Sequence, residues 1–158
     1  MLVGCGGGGS DACSTLRVAG GETCTSSDNP VVLLSIDEGG LCSGTIITRT
    51  SIVTAAHCVR TAKTITVIHQ NASEVITQAF YNRDYTGGVH PNDVAVLKVS
   101  TAFTDAANFS PLPLQLTTNI PQGERVSIFG FGMDQTGQVS VDFPRAGFLL
   151  ILGLQSDM

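Results

Sequence analysis

Hydrophobic positions along the chain fall into short runs separated by turn-forming residues. Residues 31–36 (VVLLSI), 43–48 (SGTIIT) and 51–54 (SIVT) are apolar and β-branched, with Glu38-Gly39-Gly40 and Arg49-Thr50 between them. Such runs predict strands joined by tight hairpins. Residues 64–68 (TITVI) and 74–79 (EVITQA) follow, on either side of a polar tip around Asn71. A loop over 81–92, carrying Gly87-Gly88, leads to 94–99 (VAVLKV). Six strands with short connections predict an all-β fold, a small closed antiparallel barrel. The stretch from Pro111-Leu112-Pro113 to Pro121 reads as an extended crossing segment. Two further strands are expected at 125–131 (RVSIFGF) and 146–152 (AGFLLIL), and no internal repeat is evident.

Composition agrees with a packed β domain. Of the 158 residues, 42% are apolar and 13% charged, enough to bury a real core within a single domain. Glycine is abundant, at 18 residues, and Trp is absent. The net charge of −5 comes with scattered basic residues, so no nucleic-acid partner is expected. The apolar run at 146–154 is too short to cross a bilayer as a helix. Five cysteines form an odd set without the paired short spacing of a structural zinc site. No metal and no other cofactor is expected.

Leu2-Val3-Gly4-Cys5 resembles the lipobox of bacterial lipoproteins, in which the cysteine carries the lipid. Gly6 to Gly9 and Ser10 would then be a flexible tether. This resemblance implies lipidation at Cys5, membrane anchoring and a cell-envelope location. Export without an anchor, to the outside of the cell, is the simpler form of the same expectation. A disordered start or linker is the plainer reading of the Gly-Ser run.

Three segments further along carry chemistry. Thr54-Ala55-Ala56-His57-Cys58 follows Cys42-Ser43-Gly44, Asn92-Asp93 opens an apolar strand, and Arg17-Val18-Ala19-Gly20-Gly21 precedes the first strand. Read alone, a histidine in a small-residue turn is structural, Asn-Asp is an Asx turn, and Gly-Gly marks a loop. Together, and in this order, they resemble the chymotrypsin/trypsin-like serine proteases. The resemblance implies that His57 is the general base and then general acid, with Asp93 holding its ring tautomer. It implies a Cys42–Cys58 disulfide beside His57. It also implies a zymogen activated by cleavage after Arg17, freeing the Val18 ammonium. Asp84 is the one nearby competitor for the acidic role, and it lacks the apolar strand that follows Asp93.

The resemblance runs from Arg17 to Gly132, where Gly130-Phe131-Gly132 is similar to the family's Gly-Trp-Gly, and on toward Phe148. Neither Gly-Asp-Ser-Gly-Gly nor Gly-x-Ser-x-Gly occurs in the chain. Ser43 adjoins a glycine beside a cysteine, but it belongs to the hairpin before His57. The implied domains are a lipobox-like tether and propeptide at 1–17, a complete first barrel at 18–110, and a crossing segment with the start of a truncated second barrel at 111–158. A chain of this kind is expected to be a protease gene product cut short and inactive by itself toward protein or peptide substrates. The alternative is a non-catalytic pseudoprotease that binds a partner. Cys24 sits where trypsins have a cysteine bonded into the second barrel, and a Cys13–Cys24 bond would keep the propeptide attached. Residues 148–152 are expected to form an apolar edge that lowers solubility. Asn71-Ala72-Ser73 and Asn108-Phe109-Ser110 fit glycosylation sequons.

Overall fold

A computed structural model of the chain describes residues 30–37, 39–69, 72–88, 92–103, 114, 121–123, 125–133 and 139–150. In chain order the elements begin with β1 (Val31–Ile36), β2 (Gly40–Thr48), β3 (Ser51–Thr54) and a one-turn helix, α1 (Ala56–Val59). They continue with β4 (Ile65–His69), β5 (Ala72–Val75), β6 (Gln78–Tyr81), β7 (Ala95–Lys98), β8 (Arg125–Met133) and β9 (Val139–Leu150). Seven strands make one antiparallel sheet in the order β5-β4-β1-β2-β3-β7-β6, and β8 pairs with β9.

The β1–β2 hairpin turns through Asp37 (φ 45°) and Gly39 (φ 109°). Left-handed backbone suits glycine, and aspartate tolerates it better than most residues. The Asp37 carboxylate then accepts the Lys63 and Thr64 backbone N–H groups at 3.0 and 2.8 Å, tying the turn to the start of β4.

Side chains alternate across strands, so every second residue enters the core. Ile65, Val67 and His69 are buried on β4, as are Ala95 and Leu97 on β7. Val32 and Leu34 of β1 join Ile46, Ile52, Val67 and Leu97 in the core cluster. Fully burying side chains of this size contributes about 1.5–3 kcal/mol each. Val31 and Leu33 point to the opposite face of β1 and are buried too, where β1 and β2 meet the β8–β9 hairpin. Both faces of the central strand are therefore covered.

The sheet closes on itself. Its two edge strands, β5 and β6, are consecutive in the chain, and the residues between them bond to the strand inside each edge. The Ile76 N–H donates to the Ile65 carbonyl, and the Thr77 N–H to the Lys98 carbonyl. Glu74 adds a side-chain clasp, accepting the Ser100 hydroxyl and the Thr101 N–H at 2.7 Å each. One bent segment thus forms both end strands of the sheet and curls it into an antiparallel barrel.

The strand expected at 74–79 is divided at this bend into β5 and β6. The strand expected at 43–48 begins three residues earlier, at Gly40, and the one expected at 146–152 begins at Val139. The solubility expectation for 148–152 rests on side chains outside the described residues.

Candidate active site

The antiparallel register of β3 and β7 sets Thr54 opposite Ala95. The chain leaving β3 and the chain entering β7 therefore lie at one end of the barrel. His57 follows Thr54 by three residues and Asp93 precedes Ala95 by two, so both stand on this rim.

Local packing orients the histidine. Ala55 is extended (φ −82°, ψ 147°) and caps α1 without a side-chain bond. Ala56 is wholly buried and Cys58 nearly so, which presses one side of the helical turn onto the barrel. His57 projects from the other side, with its side chain 60% exposed. The Cys42–Cys58 disulfide fastens the turn to β2. The Thr54 hydroxyl donates to the Ser43 carbonyl at 2.8 Å, so the end of β3 that leads into the turn is tied to β2 as well.

Asp93 holds the histidine at two points. Its Oδ2 lies 2.8 Å from the ring Nδ1, and its Oδ1 accepts the His57 backbone N–H, also at 2.8 Å. The hydrogen bond from the His57 ring, followed by that from the backbone N–H, keeps the Asp93 carboxyl below its ordinary pKa; partial desolvation opposes them. A carboxylate can only accept, so in the neutral ring the proton sits on Nδ1 and Nε2 offers a lone pair. Nε2 has no partner among the described residues. The arrangement can take a proton from a group brought to Nε2 and return it, while the carboxylate stabilises the imidazolium in between.

Ligand atoms of Cys42, His57 and Cys58 lie within 4.8 Å of one another. The two sulfurs are bonded to each other, so they present no thiolates to a metal ion. Asp84 is exposed in a turn, its N–H donating to the Asn82 side chain, and no bond joins it to His57. Above the end of α1, the Arg60 guanidinium donates to the Thr86 carbonyl at 2.6 Å and holds the 82–88 loop against the helix.

Cys5, Cys13, Arg17, Val18 and Cys24 lie outside the described residues. Ser43, read in the sequence only as a hairpin residue, bonds through its hydroxyl to the backbone of Phe131 on β8. Glu74 was likewise unmarked in the sequence. A polar residue in a strand bears no local sign of a partner 26 or 88 positions away.

The family model for Trypsin matches residues 18–145. Trypsin delta of Drosophila erecta is 29% identical over 136 residues, covering 79% of this chain and 53% of that protein. Serine protease SP24D of Anopheles gambiae is 30% identical over 138 residues, covering 78% and 50%. The chain spans about half the length of the relatives it matches. Among solved structures, HL collagenase shares the fold, with a TM-score of 0.71 at 22% identity over 84% of this chain and 63% of that one.

Proposed function

We propose, for a chain that belongs to the trypsin family, that His57 and Asp93 are the acid–base pair of a serine endopeptidase whose nucleophile lies outside these 158 residues. The observation that carries the reading is the doubled bond between Asp93 and His57, which leaves Nε2 open at the rim. In this role Nε2 removes the proton of a serine hydroxyl as it attacks a peptide carbonyl, then delivers it to the departing amine. Asp93 remains ionised throughout and keeps the ring in register. A non-catalytic binding barrel has no need of that pairing.

On the same reading, residues 18–110 form the first barrel and 111–158 lead into the second. Cleavage after Arg17 frees Val18, and a Cys13–Cys24 bond retains the propeptide. An exported location fits the Cys42–Cys58 disulfide, since such bonds persist in oxidising compartments. Lipid anchoring through Cys5 rests on its four-residue resemblance alone.

The test uses fluorogenic peptidyl-arginine and peptidyl-lysine substrates. The 158-residue chain should give no turnover, since losing the serine of a triad costs on the order of a million-fold. A chimera joined after Arg145 to the second-barrel sequence of the Drosophila erecta trypsin should hydrolyse them and lose that activity in His57→Ala. Turnover that survives His57→Ala, or a folded chimera without activity, overturns the proposal.

A further inference from the structure

We infer that Ser43 is a positioning residue: its hydroxyl is the pin that sets where the β8–β9 hairpin stands relative to His57. The β8–β9 ladder pairs Gly130 with Arg145 and resumes at Gly132 with Ser140, so Phe131 falls in the irregularity between them. The extra residues are on β9, where positions 141–144 stand against Phe131 alone, so the ladder gives Phe131 no partner for its backbone groups. Ser43 takes both. Its Oγ accepts the Phe131 N–H at 2.8 Å and donates to the Phe131 carbonyl at 3.2 Å.

Each participant is suited to the contact. Ser43 lies opposite Leu33 in the β1–β2 register, on the barrel's outer face toward β8. Gly130 permits the approach, because a Cβ there would stand 3.1 Å from the Ser43 oxygen. Ser43 directly follows Cys42, and His57 directly precedes Cys58, so pin and imidazole attach to opposite ends of one disulfide. The second sheet is thereby registered to the ring through a short covalent path. That this position matters for catalysis rests on the proposed protease reading; the pin itself does not.

Amide hydrogen exchange on the 158-residue chain tests the pin. In Ser43→Ala the Phe131 amide should exchange about tenfold faster or more, the scale of one lost hydrogen bond, while Val67 and Leu97 amides keep their rates. Residual dipolar couplings should show β8–β9 reorienting relative to the barrel. Ser43→Thr, which keeps the hydroxyl, should restore both measurements. Gly130→Ala should loosen Phe131 by crowding the same oxygen. Unchanged Phe131 exchange in Ser43→Ala, or equal acceleration of all amides, overturns the inference. In the chimera, Ser43→Ala should lower kcat several-fold at constant KM. An inactive chimera with the exchange result intact would count against the protease reading and leave the pin standing.

Discussion

The Asp93 carboxylate meets His57 with both oxygens, one on the ring Nδ1 and one on the backbone N–H, each at 2.8 Å. The ring and the peptide that carries it are thus held by the same group. A side chain attached only through its ring could swing about the Cα–Cβ bond, and this one is held against that motion.

Asp93→Asn separates the two contacts. The amide oxygen can still accept the His57 N–H, but the amide nitrogen then faces Nδ1 and forces the ring proton onto Nε2. Long-range nitrogen–proton correlation spectra should show His57 changing tautomer with little change in the barrel amides. In a chimera carrying the serine, kcat should fall by about 10⁴, as when the aspartate of a Ser-His-Asp triad becomes asparagine. An unaltered tautomer would refute this account of Asp93.

Closing the barrel through Glu74 makes stability depend on acid. Burial opposes the Glu74 charge, but hydrogen bonds from Ser100 and Thr101 outweigh it and hold the carboxyl below its ordinary pKa. The Asp93 carboxyl is lowered as well. A pKa lowered by folding contributes stability that is complete above the unfolded carboxylate range, near pH 4, and disappears as pH falls through the folded values. The urea midpoint should therefore hold between about pH 7 and 5 and fall below that. Glu74→Gln should lower the neutral-pH midpoint and flatten the acid limb. A limb as steep as the wild type's would place the acid sensitivity elsewhere.

The Cys42–Cys58 bond closes a loop of 16 residues in sequence separation. Replacing both cysteines by serine should cost about 3 kcal/mol, mostly by freeing the unfolded chain. For a chain of 158 residues that lowers Tm by roughly 6–12 °C, measurable by calorimetry. A change of only a degree or two would mean that α1 is held by its packing and by Asp93 alone.

Gly44 of β2 faces Ile52 of β3 and Val32 of β1 with no room for a side chain. A methyl group there would stand 2.5 Å from Ile52 Cγ2 and 3.2 Å from Val32 Cγ2. Gly44→Ala should destabilise by about 1–3 kcal/mol through overpacking. Ile52→Ala empties the same space, so the double variant should be more stable than the sum of the single losses allows. Additive denaturation midpoints would show that the core accommodates the methyl by another route.

Much of the barrel was legible because its information is local. β1 and β3 occupy the spans their apolar runs predicted, since a short β-branched run between turn residues has few other uses. The small residues around His57 and the Asn92-Asp93 step pointed to the trypsin family, by resemblance rather than by periodicity. The division of the 74–79 run escaped such reading. Its pattern continues through Ile76 and Thr77, and only the positions of Ile65 and Lys98 decide that one bonds to β4 and the other to β7, near opposite ends of the sheet. The early start of β9 likewise follows from pairing along β8 rather than from its own residues.

The amino-acid order by itself determined the β-rich class and strands such as β1 and β3, which residues carry ionisable chemistry, and that the histidine precedes the aspartate. Tertiary structure alone decided that the Thr54–Ala95 register brings those two to one rim, that Glu74 clasps the barrel shut, and that Ser43 receives Phe131 from 88 positions away. The physical reason is that strand propensity and turn chemistry act over a few residues. Which backbone groups are left to be satisfied, and by which side chain, is settled only when distant strands have taken their places.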